Sequence, residues 1–283
     1  MARRNSRSIA VVAGFVFLYV CAPATKGQQR YFTEDQRVYR NYHSQFLPKD
    51  RDVIVSLPAG YNKDTTRRYP VLYMQDGNSV FNIWRLDETA AYMAANNAIE
   101  PLIIVHVNNG GTQEDRFDEY TTARDARGRG GNANNYGRML VEELKPFIDA
   151  EYRTLTDAAN TGLGGASLGG LVSLYLGLKY PGKFGKLAVL SPALWRDLDG
   201  TIQRQIKDLA SKPALRIWLD IGTEEGPTSA IRQLRDLLKS KGWVLDSDLV
   251  YFEAKGAKHQ EEAFALRGAM FLKLFYPKQA NQK

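Results

Sequence analysis

The stretch GLGGASLGGLVSLYLGLKYP, Gly162–Pro181, sets a lone serine among glycines directly ahead of an apolar run with helical spacing. Two chemistries use such a turn: a glycine loop that cradles phosphate, and a strand-to-helix turn that holds out a serine nucleophile. Within it GASLG, Gly165–Gly169, fits G-x-S-x-G. A serine on such a turn takes strained backbone angles, and side chains at Gly165 and Gly169 would clash with the bend, so both flanks need glycine. The turn lifts Ser167 above a sheet. It also aims the first N–H groups of the following helix, Leu168 among them, at any oxyanion formed beside the serine. The five-residue pattern alone is common in ordinary connections, so its flanks decide. Thr161–Ala166 reads as a strand and Leu168–Tyr180 as a helix. The dinucleotide reading fails because GLGGAS ends in serine where the third glycine must pack closely. GLKYPGKF, Gly177–Phe184, fails as a phosphate loop because Phe184 has no hydroxyl for magnesium and the stretch ends a helix.

Outward from that turn, short β-rich runs alternate with helical stretches, which predicts a mainly parallel, doubly wound α/β sheet with helices on both faces. The other strands are expected at Val53–Leu57, Pro70–Gln75, Leu102–Asn108, Lys186–Ser191, Leu215–Ile221 and Leu249–Ala254. The other helices are expected at Leu86–Asn97, Tyr136–Ala150 with a kink at Pro146, Thr201–Ala210, Thr228–Lys241 and Glu261–Phe275. In the Thr228–Lys241 helix, Ile231, Leu234, Leu237 and Leu238 share one face, as suits a helix lying on a sheet. Ahead of Asp52 the chain reads as an extended entry segment with one edge strand. Asn109–Asn135 is long, polar and irregular, a functional loop beside a site.

At the amino end, Arg3, Arg4 and Arg7 precede the apolar run Ile9–Val20 and the small residues of CAPATKG, the pattern of a secretory signal over residues 1–27. An uncleaved anchor ranks below it, because the run falls short of the roughly 20 residues a spanning helix needs. A lipoprotein cut at Cys21 ranks third. Residues 28–283 then form a single domain of this doubly wound α/β type, secreted or periplasmic. Cleavage after Ala24 removes three arginines and no acid, taking the formal charge from +7 to +4. The scattered basic residues give no basis for nucleic-acid binding. Cys21 is the sole cysteine, so the mature chain is expected without disulfides, thiolate metal sites or cysteine nucleophiles.

A serine hydroxyl needs a base, and three histidines are present. His43 lies in the entry segment, and His106, within LIIVHVN, reads as a sheet histidine. His259 follows the final strand, which completes the chain order serine, acid, histidine. The acid belongs on the loop after the LRIWLDIG strand, where Asp220 still alternates with Trp218 in the strand pattern and Glu224 and Glu225 stand beyond it. Glu225 is favoured over Glu224, although either could simply favour a helix N-terminus. The backbone N–H of Asn78, after Gly77 in YMQDGN, is the second oxyanion donor expected.

With these residues placed, the chain resembles the putative-esterase branch of the α/β-hydrolases, which includes enterochelin esterases, S-formylglutathione hydrolases, feruloyl and acetylxylan esterase modules, and mycolyltransferases. The resemblance rests on VIVSLPAGY, YPVLYMQDG, ELKPFIDAEYRT, the long block after Gly164, WLDIGTEE and the late histidine, and covers roughly Val53–Phe275. It carries the triad acid to Glu225, two residues past a G-T pair. It also implies that Arg116, Glu119, Tyr120 and Trp195 border the substrate pocket. MQDG in place of the HG of many relatives, and glutamate in place of aspartate, depart from the pattern.

The function expected is an exported serine carboxylesterase acting through an acyl-enzyme on Ser167, with His259 and Glu225, without metal or organic cofactor, on a small-molecule or carbohydrate-linked ester. An acyltransferase of the same fold and a non-catalytic hydrolase-like binding domain are the alternatives. Arg116 and Arg124 in the polar loop would suit an aromatic or anionic ester such as a catecholate siderophore or a feruloylated sugar, and a plain acetyl ester is equally allowed.

Overall fold

The computed structural model describes residues 32–278; the expected signal segment lies outside the described residues. Eight strands form one sheet: β1 Gln36–Tyr42, β2 Arg51–Ser56, β3 Val71–Gln75, β4 Ile103–Val107, β5 Thr161–Ala166, β6 Lys186–Leu190, β7 Arg216–Gly222 and β8 Leu249–Ala254. Their spatial order is β1-β2-β4-β3-β5-β6-β7-β8. β1 and β2 pair antiparallel, as do β2 and β4, and every later pair is parallel. This is the α/β-hydrolase fold expected from the sequence.

β3, β4 and β5 are buried at every residue, which explains why they read as continuous apolar or glycine-rich runs rather than as alternating ones. Alternate strand residues feed two cores. On one face Tyr73, Val105, Leu163 and Val189 meet Leu171, Leu174, Met139 and Leu234 from the helices. On the other, Met74, Ile104, Leu190 and Trp218 meet Leu86, Met93, Phe271 and Phe275. The helix Leu168–Lys179 is buried from Leu168 through Leu178, so it is apolar nearly all round. After β4 the chain crosses over β3 to begin β5. The order therefore reverses between β3 and β5, and a ligand crevice opens at their carboxyl ends. Ser167 and Asn78 follow those two ends.

Three local expectations differ from the structure. Asn109–Asn135 is not all irregular: it holds the helix Gln113–Tyr120, started by a capping box in which Thr112 Oγ1 accepts from Asp115 N–H and the Asp115 carboxylate accepts from Thr112 N–H. Around Pro146 the helix starts earlier, at Ala133, and widens into a π-helical stretch over Met139–Leu144, which accommodates a residue that has no N–H to donate. The C-terminal helix is two helices, Glu261–Ala265 and Gly268–Phe275, with Arg267 at the break. The edge strand expected in the entry segment is β1, whose register shifts between Tyr39 and Tyr42.

Candidate active site

Ser167 sits between β5 and its helix at φ 58°, ψ −122°, a region that a side chain rarely tolerates. The chain around it pins it there. Its N–H donates to Leu190 O at 3.0 Å, and its carbonyl accepts from Leu171 N–H and Ala193 N–H, each at 3.0 Å. A Cβ at Gly165 would lie 2.8 Å from the carbonyl carbon of Gly169, so strand and helix can approach this closely only through glycine. Leu168 opens the helix, and its N–H has no intrahelical acceptor.

The β3 exit forms the facing wall. Asp76 takes a left-handed conformation at φ 54°, and a Cβ on the next residue, Gly77, would fall 2.5 Å from the backbone carbonyl carbon of His106. Asp76 is held from every side. Its N–H donates to the Tyr120 hydroxyl at 3.1 Å, Arg116 grips its carboxylate at 2.7 and 2.8 Å, and Asn109 Nδ2 donates at 3.2 Å. Burial works against the Arg116 charge, but the Asp76 contacts outweigh it and hold the guanidinium above its ordinary pKa. Asn78 lines the pocket at the start of a short helical turn, with its N–H in the unpaired first turn.

The loops after β7 and β8 meet at the same end. His259 Nδ1 and Glu225 Oε2 are 2.7 Å apart. Glu225 Oε1 accepts from the Ser191 hydroxyl at 2.7 Å and from Gly222 N–H at 2.8 Å. Burial opposes the charge on Glu225, yet the bonds from His259, Ser191 and Gly222 outweigh it and keep the carboxyl below its ordinary pKa. The Glu225 side chain is 3% exposed and that of His259 45%, so the pair runs from the interior to the surface of the cavity. The His259 ring also stands edge-on to Phe264, centroids 5.1 Å apart.

Ser167, His259, Asn78 and Arg116 all line one cavity of about 690 Å³. Among the described residues no hydrogen bond joins the Ser167 hydroxyl to the imidazole; such contacts often tighten only around a substrate. Trp84 and Phe264 give the cavity an apolar corner, while Asn108, Asn109 and Arg116 make it polar elsewhere. Among the described residues no group of three or more His, Cys, Asp or Glu side chains could hold a metal ion.

The chain belongs to the putative esterase family. Its family model, described as "Putative esterase", matches residues 44–267. The chain is 29% identical over 246 residues to the uncharacterized protein YbbA of Bacillus subtilis, covering 81% of this chain and 94% of that one. It is 28% identical over 210 residues to an endo-1,4-beta-xylanase/feruloyl esterase of Xylanibacter ruminicola, covering 71% of this chain and 26% of that longer protein. Among solved structures, the enterobactin esterase FES of Shigella flexneri superposes with a TM-score of 0.71 at 19% identity, over 91% of this chain and 60% of that one. The BES protein of Bacillus cereus superposes with a TM-score of 0.69 at 21% identity, over 89% and 98%. At such identities the superpositions speak for the shared fold. The family match makes this chain an esterase-type hydrolase.

The remaining sequence-derived residues fall in different places. Glu119, expected at the pocket, is buried behind it in an ion pair with Arg51 at 2.7 Å, both side chains at most 3% exposed. Tyr120 is fully buried, and burial pushes its hydroxyl well above its usual pKa; it supports the pocket wall through Asp76 N–H and through Arg116, whose guanidinium stands 5.7 Å from its ring centroid. Trp195 is 69% exposed and borders a separate cavity beside Ile202 and Leu234, because the chain turns outward after Ala193. Glu224 faces solvent near Lys258, 4.0 Å away. His106 is buried against Ser56 and Phe81, and His43 pairs with Asp50 at the surface. The sequence reading missed Asp76, whose position in QDG beside the Gly77 turn was the available signal, and Ser191 and Arg267, which carried none.

Proposed function

We propose that this esterase-family chain is an exported serine carboxylesterase with Ser167 as nucleophile, His259 as base and Glu225 as the orienting acid. The observation that carries the reading is the Glu225–His259 hydrogen bond, set in the same cavity as a serine held in a strained strand-to-helix turn. Glu225 at Nδ1 fixes the tautomer with Nδ1–H, which leaves Nε2 free to take a proton. The imidazole removes the Ser167 proton as Oγ bonds to the ester carbonyl carbon. The N–H groups of Leu168 and Asn78 receive the oxyanion. The imidazolium then protonates the leaving alcohol as its C–O bond breaks. Water repeats the sequence on the acyl-enzyme, and the acid departs with Ser167 regenerated.

The cavity also bears on the substrate. Arg124 does not line it, and Arg116 is neutralised by Asp76. Arg51 is likewise paired with Glu119 and Asp52 with Arg40, so among the described residues no cation of the lining is left unpaired, while Asp50 and Glu261 add negative charge. Of the esters that the loop arginines suited, this balance favours an uncharged, hydroxylated one such as a feruloylated sugar, with its aromatic acyl group against Trp84 and Phe264, over an anionic catecholate siderophore.

The test is a hydrolysis panel of p-nitrophenyl acetate and butyrate, feruloyl sugars, acetylated xylan and triscatecholate lactones, with Ser167→Ala beside the wild type. Loss of turnover in Ser167→Ala by several orders of magnitude, with fluorophosphonate labelling of Ser167 in the wild type, is expected. Unchanged turnover in the variant would remove the mechanism. Added alcohols separate hydrolysis from acyl transfer, and the N-terminal residue of the exported chain checks cleavage after Ala24.

A further inference from the structure

Behind Glu225 lies a buried charge cluster that the mechanism does not use. Arg267, at the break between the last two helices, has a side chain only 2% exposed, and its partner Asp220 is fully buried. Arg267 Nη1 is 2.7 Å from Asp220 Oδ1 and 3.3 Å from the Ser191 hydroxyl. Its Nη2 lies 3.6 Å from Glu225 Oε1, with no hydrogen-bond partner of its own, and its Nε donates to Ala263 O at 3.1 Å. Asp220 is fixed further by Trp218 Nε1 at 2.6 Å and Ser191 N–H at 3.0 Å. Ser191 thus touches both carboxylates, and one guanidinium stands between them.

We propose that Arg267 is a positioning residue for the His259–Glu225 pair: shared between Asp220 and Glu225, its charge keeps Glu225 ionised and aimed at the imidazole, and together with Asp220 it sets the acid limb of the pH–rate profile. This rests on the esterase reading above. Two carboxylates and one guanidinium leave a single net negative charge, the amount an imidazolium balances. Without Arg267 the two buried carboxylates would face each other with no fixed cation between them, so the site as a whole would draw protons more strongly and the imidazole would hold its proton to higher pH. Burial pushes Asp220 up to about 6 despite Arg267, whereas Glu225 stays below its ordinary value, so Asp220 is the carboxylate that protonates first as pH falls. The guanidinium also stacks over Phe264, 5.1 Å from its centroid, the ring that supports His259.

The other charges around the pair are accounted for within the cavity or face solvent. Glu224 and Lys258 oppose each other on the exposed loops, and Glu261 accepts from Trp84 Nε1. Asp76 and Arg116 neutralise each other on the facing wall, Arg232 and Glu253 pair on the outer side of β8, and Glu262 is exposed.

The experiment measures kcat/KM from pH 5 to 9 and, independently, the NMR titration of the His259 imidazole, assigned by His259→Ala among the three histidines. Removing the cation in Arg267→Met makes the field at the pair more negative, so both the acid limb and the imidazole titration move up by roughly one pH unit. Removing the anion in Asp220→Asn moves both down by a similar amount. Arg267→Lys keeps the charge and stays near the wild type. The double variant Arg267→Met/Asp220→Asn restores the net charge, tolerates the loss of both partners better than either single change, and returns toward the wild-type profile. Should Arg267→Met fail to fold, Asp220→Asn, Arg267→Lys and the double variant still decide. Unshifted profiles, or single variants shifting in the same direction, overturn the proposal. Opposite imidazole shifts in a protein without Ser167-dependent hydrolysis would uphold Arg267 and sink the esterase reading instead.

Discussion

His259 Nδ1 and Glu225 Oε2 meet at 2.7 Å across 34 residues of chain, one on the loop after β8 and the other on the loop after β7. Strand order makes this meeting possible, since β7 and β8 are parallel neighbours and both loops leave from the same end of the sheet. Glu224, one residue earlier, points to solvent and is 54% exposed. The two glutamates therefore separate by a simple comparison.

Glu225→Gln removes the charge that fixes the imidazole tautomer and should lower kcat/KM for p-nitrophenyl acetate by about 10³-fold or more. Glu224→Gln should leave it within about twofold. A reversed ranking would transfer the acid role to Glu224.

The strained turn gives a stability prediction that runs against activity. Ser167 holds φ 58°, which glycine adopts without strain. Ser167→Gly should be inactive yet more stable than Ser167→Ala by about 1 kcal/mol, raising Tm by about 2–4 °C. Ser167→Ala keeps the Cβ and hence the strain. Calorimetry of the two variants checks this, and equal melting temperatures would mean that the turn stores no strain.

Much of this was legible in the sequence because parallel strands buried on both faces are written as unbroken apolar runs, and the serine turn as glycines at fixed offsets. The glycines marked Ser167, chain order pointed to His259 and to Glu224 or Glu225, and the resemblance chose Glu225 between the two. The helix Gln113–Tyr120 escaped notice because six of its eight residues, all but Phe117 and Tyr120, are polar or charged, although TQED carried its capping box. Arg267 looked like one more residue of an amphipathic helix. Its role depends on a break in that helix and on Asp220 lying 47 residues away, neither of which periodicity reveals. Trp195 was placed by resemblance, and the outward turn after Ala193 is a tertiary fact.

The turn after β3 leaves no room for a side chain at Gly77. A methyl group at Gly77 would come within 2.6 Å of both the His106 carbonyl carbon and Val107 N, backbone atoms of β4 that have no room to yield. Gly77→Ala should push the Asp76–Asn78 turn away from Ser167. We expect kcat to fall by about 10²-fold, the scale of losing one oxyanion donor, with KM changed far less. A loss confined to KM would place the turn in ground-state binding instead.

The buried Asp220 makes a signed prediction for stability against pH. Its folded pKa, raised to about 6 from the 3.8 of an ordinary aspartate, means that the folded state binds this proton more tightly than the unfolded chain. The associated stability is fully present below about pH 4 and is lost as pH rises through about 6. Glu225, held below its ordinary value, has the opposite sign: its contribution is present above about pH 4.5 and disappears on further acidification. In Asp220→Asn the first term is absent. Between pH 4 and 7 the wild type should therefore lose stability relative to Asp220→Asn by about 2–3 kcal/mol, read from urea unfolding at each pH. A constant difference across that range would mean that Asp220 is ionised throughout, with Arg267 fully satisfying it.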